Sequence, residues 1–119
     1  MCGIIGFNWN DKKLLKIALK KMSHRGPDNS GTYFDKDISL GHNRLSIIDL
    51  SSSGNQPLSN ENKTIWISFN GEIYNFKEIR KNLKQKHKFK SNTDTELLVH
   101  LYEEEGKNMV NKLQGMFAF

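Results

Sequence analysis

Every apolar run in this chain is short and fenced by turn-forming residues, and that narrows what it can fold into. Gly3 to Phe7, Ile65 to Phe69 and Gly115 to Phe119 are the longest, and none exceeds a handful of residues. Runs of this length read as strands buried in small sheets, and they fall far below the roughly 18 residues of a membrane span. Between them lie segments of helical period. Leu14, Leu15, Ala18, Leu19 and Met22 recur at spacings of three and four behind Asp11, which can cap a helix to about Met22. Leu97, Leu98, Leu101 and Tyr102 do the same behind Asp94, with Gly106 as the stop. Helices and strands therefore share one domain, as the 119 residues also suggest.

The remaining elements follow from the punctuation. His24-Arg25-Gly26-Pro27-Asp28 ends the first helix, and strands are expected over 31–35 and 38–42 around the Asp35-Lys36-Asp37 turn. Ser46 to Leu50 reads as another short strand. Residues 51–63 form a polar loop long enough to be functional, and Thr64 to Phe69 is β-branched and aromatic, hence a strand. Asn70-Gly71 then signals a hairpin turn with Glu72 to Tyr74 returning. Asn75 caps a helix over 76–86, Asn108 to Leu113 is a short helix, and Gly115 to Phe119 begins a buried strand. That last strand has no return partner behind it, so the reading is of a domain truncated on its C-terminal side.

Composition excludes several classes. A single cysteine rules out an internal disulfide and any multi-cysteine zinc cluster. The first residues lack the basic and apolar regions of a secretory signal, so a cytoplasmic address is expected. The formal charge of +5 comes mostly from two lysine-rich stretches, Lys12 to Lys21 and Lys77 to Lys90. Such clusters can meet phosphates, but they stand at helical surface spacing without interleaved aromatics. They read as the wet faces of amphipathic helices, and no nucleic-acid partner is expected.

Chemistry begins at Cys2. A lone cysteine is commonly a small buried hydrophobe. Removal of the initiator methionine would, however, put Cys2 at the amino terminus. Its own α-amine, with an ordinary pKa of about 7.7–8.0, would then serve as the base of an activated thiol. Asn70 and Gly71 offer a side-chain amide and a backbone N–H side by side, an oxyanion hole if they are not merely a turn. Arg44 beside apolar residues is either a surface salt bridge or a bidentate clamp for a carboxylate. Asp94 is either a helix cap or a receiver for an ammonium group. His24, His42, His87 and His100 show no metal-ligand spacing, so no metal site is expected.

Five motifs in order carry a resemblance. Met1-Cys2-Gly3-Ile4-Ile5-Gly6, His24-Arg25-Gly26-Pro27-Asp28, His42 to Asp49, Asn70-Gly71-Glu72-Ile73-Tyr74-Asn75 and Leu113 to Phe119 together resemble the glutaminase domain of the glutamine-hydrolysing asparagine synthetases. These are class II (type 2) glutamine amidotransferases of the N-terminal nucleophile hydrolase fold. The resemblance implies an α+β fold, a four-layer αββα sandwich that is incomplete at its C-terminus over residues 1–119. It implies Cys2 as nucleophile on the glutamine side-chain amide, with Asn70 and Gly71 as oxyanion hole. Arg44 corresponds to the residue on the substrate α-carboxylate, Asp94 and Glu72 lie around its α-ammonium, and Ile47 and Ile48 form pocket wall through backbone groups. The partners implied are L-glutamine and a synthetase domain absent from this chain, with a homodimer at full length as one arrangement. ATP and Mg belong only to that absent domain, and the glutaminase step takes no cofactor. Two other outcomes stay open: the same half-reaction feeding sugar-phosphate or polysaccharide amidation, and an inactive fragment.

Overall fold

A computed structural model describes all residues, 1–119. Strand β1 (Gly3–Phe7) leads into helix α1 (Lys12–Lys21), which the Asp11 carboxylate caps by accepting from the Leu14 amide at 2.8 Å. Strands β2 (Asn29–Asp35) and β3 (Ile38–Arg44) follow as a hairpin, and β1 pairs antiparallel on the other edge of β3. The register sets Gly3 opposite Asn43, so Cys2 emerges beside the end of β3. α1 packs on this sheet through Leu15 and Leu19, while Leu14 stays exposed and every α1 lysine faces solvent. The Asn43 side chain donates to the Leu19 carbonyl at 2.8 Å and so ties the end of α1 to β3.

The second half builds the main core. Two-residue strands β4 (Leu58–Ser59) and β5 (Trp66–Ile67) pair, and β6 (Asn70–Ile73) pairs antiparallel with β7 (Gly115–Ala118). Helix α3 (Asp94–Glu105) packs on β4 and β5, helix α2 (Phe76–Leu83) packs on α3, and a 3-10 turn over Gly106–Lys112 leads into β7. Leu58, Ile67, Phe69, Ile73, Leu83, Leu97, Leu98, Val99, Leu101 and Met109 form one cluster. α3 is buried over its first two turns and packs against β4, β5 and α2, which is why charged and apolar residues alike are covered there. The architecture is α+β, with three small sheets and three helices.

Several expectations change. Ser46 to Leu50 is a loop because side chains take its backbone partners: the Leu45 amide donates to Cys2 Sγ, the Ser46 amide to Asp28, and the Asp49 carbonyl accepts from Arg44. The strand read over Thr64 to Phe69 shrinks to two residues for the same reason. Asn60 takes the Thr64 and Ile65 amides, and Gln56 takes that of Phe69. Asn70-Gly71 is extended strand, not a hairpin turn, because β6 finds its partner in distant β7 and not in β5. A side chain at Gly71 would collide with the Met116 carbonyl across that pair. α2 ends at Leu83, short of residue 86. Asn75 stands at its N-cap position, but its side chain joins Lys112 and Gln114 instead. Tyr102 is exposed, and β7 is mostly exposed because β6 is its only neighbour.

Polar groups join the two halves. His42, fully buried on β3, donates from Nε2 to the Phe69 carbonyl at 3.0 Å, and Ser68 donates to the Gly41 carbonyl at 2.9 Å. Burial pulls the His42 pKa down to about 4, against the Phe69 carbonyl that favours the proton and with the Arg44 charge. The ring is therefore neutral in the folded protein at neutral pH, whereas an unfolded histidine gains its proton near pH 6.5. The unfolded chain thus binds more protons between those values, and stability falls as pH drops through that window. One such proton contributes up to about 1.4 kcal/mol per pH unit. Denaturant unfolding of a His42→Gln variant, which keeps a donor for Phe69, is expected to lack that part of the slope. Parallel pH profiles for variant and parent would refute the assignment.

Candidate active site

A cavity of about 250 Å³ opens where the end of β3, the start of β1, β6 and the N-terminus of α3 meet. Cys2, Arg44, Ile47, Ile48, Asn70, Gly71, Glu72 and Asp94 all line it, so the eight residues singled out from the sequence converge on one space. Met1 lines it too, and Met1, not Cys2, carries the α-amine of this chain. The Cys2 sulfur is bracketed by the backbone of Leu45, accepting from its amide at 3.3 Å with its carbonyl at 3.7 Å. A rigid paired strand on one side and this clasp on the other hold the thiol at the cavity edge.

Arg44 is not the exposed salt bridge that was one reading of it. It is 5 % exposed and donates from Nη1 to the Ser51 carbonyl at 2.7 Å and to Asn55 Oδ1 at 2.9 Å, and from Nη2 to the Asp49 carbonyl. A guanidinium has five N–H donors, so two remain for a ligand. The clamp also explains Gly54: a side chain there would strike the guanidinium. Asp49 secures the same loop from outside. The Ser51 hydroxyl, then the Asn92 amide, hold its carboxyl at about 2.

Asp94 is not the cap of its helix. Thr93 holds that position, accepting from the Glu96 amide, and Asp94 is the first helical residue. Its carboxylate is 4 % exposed and accepts from the Ile73 amide at 3.0 Å, so it faces β6 and the cavity. Burial pushes its carboxyl above the ordinary range despite the Ile73 amide, and the charge of Glu72 adds to that shift. Two carboxylates thus share a wall without a cation between them. Arg44, Glu72 and Asp94 have no ion-pair partner in the chain within 4.0 Å. A buried cation and two carboxylates without ion pairs, lining one cavity, suit a ligand that is itself a zwitterion.

Sequence reading missed the residues that hold these in place. Gln56 accepts from the Phe69 amide at 2.7 Å and donates to Thr95 Oγ1 at 3.1 Å, so one buried side chain joins the loop, the entry to β6 and α3. With His42 on the Phe69 carbonyl, the backbone just before Asn70 is fixed on both sides. The only signal for Gln56 was the polar loop itself, whose length marked it as functional. Glu96 anchors the lead-in to α3. Burial alone would raise its carboxyl, but the His100 ring, Ser91 and the Lys90 and Ser91 amides outweigh that and hold it at about 2. Arg80, read as one of a basic surface cluster, donates to the Ser91 and Thr93 carbonyls and lies over Phe89.

The whole chain, residues 1–119, matches the glutamine amidotransferase domain family. The chain belongs to that family. Among curated relatives, it is 48 % identical to asparagine synthetase [glutamine-hydrolyzing] 3 of Arabidopsis thaliana. It is 47 % identical to asparagine synthetase [glutamine-hydrolyzing] 2 of Oryza sativa subsp. japonica and 49 % to asparagine synthetase [glutamine-hydrolyzing] of Zea mays. Each match covers 100 % of this chain and 21 % of the relative, so this amidotransferase domain chain spans about a fifth of their length. No helix in it is long and apolar enough to cross a membrane.

The loop clamp is testable independently of any activity. Arg44→Lys keeps the charge but not the fork, and it is expected to destabilise the domain by about 2 kcal/mol, the scale of a lost charged hydrogen bond. Amide hydrogen exchange over residues 49–55 should rise in the same variant. Unchanged protection of that segment would remove the clamp from the account.

Proposed function

We propose that this amidotransferase domain hydrolyses L-glutamine to glutamate and ammonia through a thioester on Cys2, and that the ammonia serves asparagine synthesis from aspartate in a longer protein. The observation that carries the proposal is the charge content of the cavity: Arg44, Glu72 and Asp94 line it together with Cys2 and the Asn70-Gly71 pair. Free glutamine has a carboxylate and an ammonium at one end and a neutral amide at the other. The unused donors of Arg44 suit the carboxylate, and the two acidic residues suit the ammonium. The same amide inside a peptide lacks both charges and is rejected because three charged groups would be left unpaired. Ile47 and Ile48 turn their side chains largely to solvent, at 73 % and 43 % exposed, which suits a pocket role for their backbone groups.

The reaction follows from these groups. Excision of Met1 gives Cys2 the free amine, which accepts the thiol proton. Sulfur bonds to the amide carbon, and the oxygen becomes an oxyanion within reach of the Asn70 side-chain N–H and the Gly71 backbone N–H. Collapse breaks the C–N bond, and the proton held by the amine passes to the departing nitrogen, which leaves as ammonia. Water then adds to the thioester, the C–S bond breaks, and glutamate and the thiol are restored. No cofactor enters these steps. ATP and magnesium would serve aspartate activation in a synthetase domain of the longer protein; the relatives' names and greater length support such a domain. The same reading takes residues 1–119 as part of a four-layer αββα sandwich in a cytoplasmic enzyme. α1 outside the β1–β3–β2 sheet and α3 against β4 and β5 support that layering.

In the longer protein, Cys2→Ala is expected to abolish glutamine-dependent ammonia release while the fold survives. Asp94→Asn, which keeps an acceptor for the Ile73 amide, should raise KM for glutamine roughly tenfold or more, the equivalent of about 1.4 kcal/mol of lost binding. Ammonia release that persists in Cys2→Ala, or an unchanged KM in Asp94→Asn, would overturn the corresponding role.

A further inference from the structure

Away from the cavity, two histidines that share no ligand spacing in sequence come together with two glutamates. His87 lies in the connection after α2, Glu61 follows β4, and His100 and Glu103 occupy one face of α3. One ligand atom from each lies within 4.8 Å of all the others. His100 Nδ1 stands 3.2 Å from Glu103 Oε2 and 3.4 Å from Glu61 Oε2; His87 Nδ1 stands 3.4 Å from Glu103 Oε2 and 3.7 Å from Glu61 Oε1. Donors bound tetrahedrally to Zn²⁺ at roughly 2.0–2.1 Å stand about 3.3 Å from one another. The four histidine–glutamate separations fall near that value, with Glu61 turning one oxygen to each ring.

We propose that Glu61, His87, His100 and Glu103 form a structural site for a divalent cation of the Zn²⁺ type, binding through two imidazole Nδ1 atoms and two carboxylates. Three of the four ligands are held by a hydrogen bond from outside the cluster. His87 Nε2 donates to Glu104 at 3.0 Å, which leaves its Nδ1 lone pair for the centre. His100 Nε2 is buried without a hydrogen-bond partner, 3.9 Å from Glu96, and its Nδ1 faces Glu61 and Glu103. The Asn60 side chain donates to Glu103 Oε1 at 2.8 Å and turns Oε2 to the centre, and the Lys88 amide donates to Glu61 at 2.8 Å. Two neutral imidazoles and two carboxylates balance a 2+ charge. Hydrogen bonding alone makes a poorer fit, because both Nδ1 atoms converge on the same two carboxylates. Protons there would have to come from two rings that face each other with centroids 4.6 Å apart, and His87, whose Nε2 already donates to Glu104, would have to carry a full charge. His100 is 1 % exposed and forms the floor, while Glu61 and Glu103 lie at the surface and leave an approach for the ion. Bound there, the ion would pin the loop after β4 and the α2–α3 connection to α3, the helix that begins at Asp94.

The test uses the full chain, dialysed against chelator and titrated with Zn²⁺, with Co²⁺ as a spectroscopic probe. One equivalent of Zn²⁺ per chain, visible Co²⁺ bands of tetrahedral intensity, and a rise in Tm on metal addition are expected. His87→Ala and Glu103→Gln, both at least partly exposed, should fold by circular dichroism yet lose the stoichiometric uptake and the Tm response. Cys2→Ser should retain both, which separates this site from the thiol and from any glutaminase role. Uptake below one equivalent in the parent chain would overturn the proposal, as would equal uptake by the His87 and Glu103 variants, or loss of uptake only in Cys2→Ser.

Discussion

The polar clasp on Phe69 is the constraint on which the rest of the structure depends. Its carbonyl accepts from His42 of β3, and its amide donates to Gln56 of the polar loop. β3 also carries β1 in register, so the same clasp sets the strand behind Cys2 against the strand that begins at Asn70. All four groups are buried or nearly so, where an unmet amide or carbonyl would cost about 1–3 kcal/mol. That penalty leaves little freedom to slide one half over the other, which is a requirement for a site whose parts come from both.

A second consequence concerns charge. Most of the formal +5 resides on exposed helix lysines with no bearing on the cavity. The charges that matter are few and buried: Arg44, held by three oxygen acceptors of its own loop, and Asp94, held by the Ile73 amide. Each is fixed by hydrogen bonds yet makes no ion pair within 4.0 Å in the chain. Preorganisation of this kind means that no internal ion pair has to break before a charged ligand meets these groups.

Much of this was legible in the sequence, for identifiable reasons. Helical period placed α1 and α3, and the Asp35-Lys36-Asp37 turn placed the β2–β3 hairpin, because local pattern decides such elements. The ordered motifs led to the site residues, and all of them line one cavity. What local pattern could not give was partnership over distance. Asn70-Gly71 looks like a turn until β7 pairs with β6, and Ser46 to Leu50 looks like a strand until Arg44, Asp28 and Cys2 claim its backbone. Asp94 lost the cap to Thr93 by one residue and gained a buried role facing β6. His87 and His100, thirteen positions apart, carried no signal beyond the His100–Glu103 pair on one helix face.

Covalent chemistry at Cys2 is tested most directly by intact-mass and peptide analysis of the Met1-processed protein quenched in acid during glutamine turnover. The account predicts a γ-glutamyl adduct on Cys2 that appears with glutamine and is released by hydroxylamine. Turnover with no adduct at Cys2, or with the adduct on another residue, would contradict it.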